Sequence, residues 1–245
     1  MAPLQVFPDP DALAEAAAEL FATAVEAAVA ERGRAFVALS GGSTPKRLYR
    51  RLAAEPCRKR LSWTRVQLFW GDERPVPPDH PDSNFGAARR DLLAPLGVPE
   101  ANVHRIRGEE EPARAAEDYE AELRRAFGLA PGELPRFDLV LLGMGADGHT
   151  ASLFPGNEPP EAGRLVAASF VATRGSRRIT LTLPVLCAAR RVLFLVAGAD
   201  KARALRDALE NPSSRLPAAR VRPADGDVLW YVDRDAARDL ESPPP

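Results

Sequence analysis

Asp147 and His149 stand two residues apart in the run Gly143-Met144-Gly145-Ala146-Asp147-Gly148-His149. A carboxylate beside an imidazole orients the ring or raises its basicity, which makes His149 a candidate general base near neutral pH. The run follows Phe137-Asp138-Leu139-Val140-Leu141-Leu142, an apolar stretch suited to a strand buried on both faces of a parallel sheet. Glycines at such a strand's end let the chain turn sharply and approach a ligand closely. A histidine taken alone is more often structural or simply exposed. The setting of His149 is different, because open α/β sheets bind their ligands at the carboxyl ends of their strands.

Two more strand ends carry unusual sequences. Ser40-Gly41-Gly42-Ser43-Thr44 puts glycines and hydroxyls directly before a helix, and Pro45 suits that helix's first turn. Amides at the helix start, with the Ser43 and Thr44 hydroxyls, fit a phosphate or sugar oxygens. A tight turn with an ordinary N-cap fits the same residues. The Walker P-loop spacing and its Lys-Ser/Thr pair are missing, and Pro45 stands where a nucleophile elbow needs glycine. In Gly71-Asp72-Glu73-Arg74, the guanidinium of Arg74 is a fork for phosphate or carboxylate. Asp72 and Glu73 either hold that fork or bind sugar hydroxyls; a surface ion pair of little worth is the alternative. His80 and His104 lie among loop-forming residues without metal-ligand spacing, so both read as surface or loop-packing residues.

These loops need a scaffold, and the chain supplies alternating helical and strand patterns. Helices are predicted over 11–32, 45–52, 84–93, 113–127 and 200–209. Strands are predicted over 35–39, 66–70, 137–142, 192–196 and 228–232, with 165–172 and 179–183 also extended. No repeat or linker interrupts the chain, so residues 1–245 are expected to form a single domain. Apolar strands alternating with helices predict an α/β fold, three-layer α/β/α, around a mainly parallel, Rossmann-like sheet. If the three strands are neighbours, their loops form one cleft.

Composition narrows the function classes. Lys and Arg total 33 against 34 acids, so no global field draws the chain to nucleic acid or membrane. Two cysteines, Cys57 and Cys187, make neither a disulfide framework nor a metal-ligand pattern. The N-terminus lacks the regions of a signal peptide, and Glu15, Glu19 and Glu26 rule against a membrane span in the alanine-rich stretch 12–30. A cytoplasmic protein without metal or cofactor is the expectation.

Taken together, five segments resemble the 6-phosphogluconolactonase family of pentose-phosphate-pathway hydrolases. They are Ser40-Gly41-Gly42-Ser43-Thr44-Pro45; Gly71-Asp72-Glu73-Arg74 with Val76-Pro77 and Asp82-Ser83-Asn84; the run from Gly143 to Pro155; Arg178-Ile179-Thr180-Leu181-Thr182-Leu183-Pro184; and the pair Gly198/Lys201. They follow in order over nearly the whole chain. The resemblance implies hydrolysis of 6-phospho-D-glucono-1,5-lactone, with that small phosphorylated sugar lactone as partner and neither nucleic acid nor membrane. It also implies a monomer or weak homodimer. On this reading His149 and Asp147 are catalytic, while Gly41, Gly42, Ser43, Thr44, Asp72, Arg74, Asn84, Gly145 and Lys201 bind substrate. Amides near Gly145 are the expected oxyanion donors. Lys201 stands in the first turn of a predicted helix, where its charge opposes the dipole, and that conflict favours a ligand role.

Lactonases often carry a lysine and prolines just before the Arg-Ile/Val-Thr-Leu segment. This chain has Thr173-Arg174-Gly175-Ser176-Arg177 there, which leaves Arg174, Arg177 and Arg178 as rival cations for the phosphate. Glucosamine-6-phosphate deaminase/isomerase is similar in fold and first loop, but follows its histidine with a Phe-Asn-Glu-Pro stretch. Here Phe154 occupies the glutamate position, and Arg74 stands where the deaminase has an aromatic residue. A non-catalytic phosphosugar-binding module is the other alternative. Such regulators usually add a DNA-binding segment, and no helix-turn-helix extension or basic arm is apparent in this sequence.

Overall fold

Parallel pairing gathers the apolar runs into one six-stranded sheet, ordered β1-β9-β8-β5-β2-β3. A computed structural model describes residues 3–157, 163–171 and 175–241. The strands are β1 (Leu4–Phe7), β2 (Ala35–Leu39), β3 (Val66–Trp70), β4 (Asp72–Glu73), β5 (Leu139–Leu142), β6 (Val166–Val171), β7 (Ser176–Leu181), β8 (Arg191–Val196) and β9 (Asp227–Asp233). The longer helices are α1 (Pro10–Arg32), α2 (Ser43–Ala53), α6 (Pro112–Phe127) and α8 (Ala202–Glu210). Short ones are α3 (Cys57–Arg60), α4 (Asn84–Ala88), α5 (Ala94–Leu96), α7 (Leu183–Cys187), α9 (Pro217–Arg220) and α10 (Arg234–Ala237). The expected α/β class is the observed one. Among the described residues, no helix is long and apolar enough to cross a membrane.

Local chemistry explains the main boundaries. Asp9 accepts hydrogen bonds from the amides of Asp11 and Ala12, Pro10 opens the first turn of α1, and Gly33 closes the helix at φ 76°. All four residues of β5 are fully buried, as a strand covered on both faces requires. One hydrophobic cluster runs from Leu13 on α1 through β5 to Leu240 near the chain's end.

Three features add to the sequence reading or depart from it. β1 is a short edge strand paired to β9, in a segment where no strand was predicted. Asp72 and Glu73 form β4 rather than an open loop, and they pair with Thr180 and Ile179 of β7. The extended segments after β5 do not join the main sheet: β6 and β7 form an antiparallel hairpin that makes a second sheet, β4-β7-β6. The predicted helix over 84–93 is one helical path from α4, interrupted by a π turn over Arg89–Leu93.

β2 and β5 are neighbours in the sheet. The chain leaves β2 toward β3 on one side and leaves β5 toward β8 on the other. Their carboxyl ends therefore flank the topological switch point, the crevice in which open α/β sheets hold ligands.

Candidate active site

All three sequence-marked loops meet in that crevice. A cleft of about 220 Å³ is lined by Ser40, Gly41, Gly42, Ser43, Thr44, Asp72, Arg74, Asn84, Gly145, His149 and Lys201, among others.

The third loop folds into a tight turn that sets the acid and the base side by side. The Gly148 amide donates to the Gly145 carbonyl and the Gly145 amide to the His149 carbonyl, both at 2.9 Å. Asp147 Oδ1 thereby sits 2.5 Å from His149 Nδ1 and also accepts the His149 amide at 3.2 Å. Two glycines are required here. A Cβ on Gly145 would lie 2.0 Å from the imidazole Nδ1, and Gly148 adopts φ 79° against the side chain of Leu216. On its other side the imidazole stacks on Phe154, centroids 4.3 Å apart and planes 18° from parallel. With Nδ1 bound to Asp147, Nε2 is the ring nitrogen left for the cleft. Burial pulls the Asp147 carboxyl upward, but the hydrogen bond and charge of His149 outweigh it and hold the group below its ordinary value.

Of the amides near Gly145 that were expected as oxyanion donors, that of Gly145 itself is engaged by the His149 carbonyl as part of the turn. The missing side chain of Gly145 leaves room for the imidazole and the Asp147 carboxylate.

The second loop is held by its two acids. Glu73 is buried, and its carboxylate accepts the amides of Arg74, Asn84 and Phe85 at 2.8 Å and the Ser83 hydroxyl at 3.1 Å. Burial still raises its pKa against those bonds. Asp72 accepts the Ser152 hydroxyl at 2.6 Å and the Asn84 side-chain amide at 3.1 Å, which ties the second loop to the third. The side chain of Asn84 also presses on the first loop: a Cβ at Gly41 would fall 1.7 Å from its Oδ1. Arg74 Nη1 donates to the Asp82 carbonyl at 2.5 Å, so the fork is anchored at the cleft by backbone, while the Asp72 carboxylate bonds Ser152 and Asn84.

The first loop delivers the N-terminus of α2, whose first turn has no side-chain cap. Lys201 reaches the cleft from the start of the α8 segment, with Nζ 2.8 Å from Asp200. Arg174 lies outside the described residues. Arg178 is not among the described residues that line the cleft. It sits on β7 beyond the pairing with β4, toward the hairpin tip, and donates to the Ser176 hydroxyl and the Arg177 carbonyl. Within the same strand it is Thr180 that reaches the third loop, accepting the Ser152 amide at 3.2 Å.

Two site residues had no role in the sequence reading. Ser40 lines the cleft, is 5% exposed, and has a buried hydroxyl with no hydrogen-bond partner among the described residues. Phe154, noted only for not being a glutamate, is the platform under the imidazole. His80 and His104 are elsewhere, as expected. His80 Nδ1 accepts the Asp82 amide in its own loop, and His104 packs against Phe69.

The family model described as glucosamine-6-phosphate isomerases/6-phosphogluconolactonase matches residues 8–230. The 6-phosphogluconolactonase of Nostoc sp. strain PCC 7120 is 42% identical over 241 residues, covering 97% of this chain and 98% of that protein. The 6-phosphogluconolactonase of Rattus norvegicus is 41% identical over 244 residues, covering 98% and 94%. The solved structure of 6-phosphogluconolactonase from Trypanosoma cruzi superposes with a TM-score of 0.88 at 30% identity, over 99% of this chain and 98% of that one. The chain belongs to the glucosamine-6-phosphate isomerase/6-phosphogluconolactonase family.

Proposed function

We propose that this protein hydrolyses 6-phospho-D-glucono-1,5-lactone to 6-phospho-D-gluconate in the oxidative pentose phosphate pathway, with His149 as general base. One observation carries the mechanistic part. An Asp147-oriented imidazole, its Nε2 unclaimed among the described residues, shares a cleft with Arg74, Lys201 and the open N-terminus of α2. His149 Nε2 takes a proton from water as the water oxygen attacks the lactone carbonyl carbon. Asp147 fixes the ring and stabilises the imidazolium without itself taking the proton. Collapse of the tetrahedral intermediate breaks the bond to the ring oxygen, and the imidazolium returns its proton to that oxygen. A lactone is already an activated ester, so the route needs no covalent enzyme intermediate.

The phosphate is the handle. Arg74, Lys201 and the Ser43 and Thr44 amides offer charge and directed N–H groups for a dianion. Binding it away from the reacting carbon positions the carbonyl beside the base. The unpartnered Ser40 hydroxyl offers a hydrogen bond to a substrate oxygen. The deaminase alternative has less support here, because Phe154 gives the imidazole an aromatic surface where a relay would need a carboxylate.

The test is pH-stat or NMR monitoring of freshly generated lactone with and without protein, since the lactone also opens spontaneously. Accelerated acid release is expected. Arg74→Ala should raise KM about tenfold or more while kcat changes less. Ammonia release from glucosamine 6-phosphate, with lactone decay at the protein-free rate, would overturn the reading.

A further inference from the structure

β2 and β3 end side by side at the cleft, and one tyrosine hydroxyl holds the backbone at each end. Tyr49, on α2, donates to the Ser40 carbonyl at 2.6 Å and accepts the Ser40 amide at 3.1 Å. Tyr119, on α6, donates to the Trp70 carbonyl at 3.0 Å and accepts the Trp70 amide at 2.9 Å. In extended backbone the N–H and C=O of one residue point the same way, so a single hydroxyl can take both. These are the positions at which the chain leaves the sheet ladder, and buried backbone groups there need partners from elsewhere. Both tyrosines are buried, and burial pushes both phenols above their ordinary range, so they remain donors at any working pH.

Ser40 is the root of the loop that carries Ser43 and Thr44, and Trp70 is the root of the loop that carries Asp72 and Arg74. Neither tyrosine lines the cleft. We propose that Tyr49 and Tyr119 are positioning residues for the reaction, their paired backbone hydrogen bonds fixing where the two phosphate-facing loops start. The inference rests on the reading that the cleft takes a phosphorylated lactone. Tyr49 ties α2 back onto the strand that precedes it, and so aims that helix's N-terminus. It also saturates the Ser40 backbone while the Ser40 side-chain hydroxyl stays unpartnered at the cleft. Removing either phenolic oxygen leaves a buried N–H and a buried C=O unpaired, and the loop root shifts to regain partners. Small displacements of binding groups cost substrate positioning heavily.

The experiment compares Tyr49→Phe and Tyr119→Phe with Tyr231→Phe, whose site lies on β9 outside the cleft lining. Each protein is assayed for lactone hydrolysis and for inhibition by inorganic phosphate, at a temperature where circular dichroism shows it folded. Amide hydrogen exchange is followed by NMR at Ser40 and Trp70. KM should rise about tenfold in each clamp variant, phosphate inhibition should weaken in parallel, and kcat should stay within about threefold. Exchange should quicken at Ser40 in Tyr49→Phe and at Trp70 in Tyr119→Phe, with Tyr231→Phe matching wild type. Folded clamp variants with wild-type KM, or with kcat lowered at unchanged KM, overturn the proposal, because a merely structural tyrosine lowers only the active fraction. Failure of both variants to fold overturns it too. Wild-type protein that leaves the lactone untouched sinks the functional reading instead, while the exchange and phosphate arms still decide the clamps.

Discussion

Two histidines in this molecule have nearly the same neighbours. His149 places Nδ1 2.5 Å from Asp147 and stacks on Phe154 at 4.3 Å; His104 places Nδ1 2.6 Å from Glu122 and stacks on Phe69 at 4.3 Å. His104 even borders the roomier depression, a groove of about 950 Å³ against about 220 Å³ at His149. The difference lies at the other nitrogen. Nε2 of His104 lies 2.8 Å from the Gln67 side-chain carbonyl oxygen, so both ring nitrogens are occupied. Nε2 of His149 has no such partner among the described residues, and the ring lines a cleft with Arg74, Lys201 and the N-terminus of α2. A carboxylate–imidazole pair with an aromatic platform is therefore not enough to make a base. On the proposed mechanism the difference lies in the nitrogen left open and in what stands beside it.

The largest expected effect tests that contrast directly. His149→Ala should lower kcat by about three orders of magnitude, in the range that general-base removal commonly costs, with KM little changed. His104→Gln, folded, should keep kcat and KM within about twofold of wild type, since nothing it touches lines the cleft. Comparable losses from the two substitutions, measured by steady-state lactone hydrolysis, would break the comparison.

A smaller effect should separate the two carboxylates. Asp147→Asn keeps an acceptor for Nδ1–H but removes the charge that stabilises the imidazolium. A kcat loss on the order of a hundredfold is expected, short of that for His149→Ala. Glu122→Gln makes the equivalent change at His104 and should leave turnover alone. An Asp147→Asn enzyme with wild-type kcat would reduce Asp147 to a packing partner.

Much of this site was legible in the sequence because its markers are local. β2, β3 and β8 are mostly apolar runs, buried on almost every side chain, and each ends close to glycine or polar residues. Gly143 to His149 announces a turn, and the turn alone brings Asp147 to His149. What escaped was non-local or too short to show a period. β4 is two acidic residues whose strand character comes only from pairing with Thr180 and Ile179. β1 has four residues and a neighbour on one side only. Glu73 gathers its donors from residues 83 to 85 as well as from Arg74 next door, and Tyr119 reaches back to Trp70 across the intervening chain. No spacing rule in the sequence records such contacts. The placement of Arg178 is non-local in the same way: its motif fixes its strand, but how far that strand pairs with β4 is set by tertiary contact.

The smallest expected effect concerns stability rather than turnover, and it asks why His104 is not a base. Its Glu122 partner favours the imidazolium, while burial beneath Phe69 and the charge of Arg125 oppose it. Burial dominates, and the ring's pKa falls from 6.5 to about 4. Between those values the unfolded chain binds a proton that the native state rejects. Stability should therefore be complete above pH 6.5 and decline as pH falls toward 4, by up to about 3 kcal/mol from this group. Urea denaturation at pH 7, 6 and 5 should show that slope in wild type and a shallower one in His104→Gln. The His104→Gln protein itself starts from a lower plateau, because the stack on Phe69 is lost, so the comparison is of slopes and not of midpoints. A wild-type stability that instead rises as pH drops through 6.5 would mean that the Glu122 charge outweighs burial. His104 would then be a standing imidazolium in the fold, and the contrast with His149 would have to be drawn from charge rather than from an occupied nitrogen.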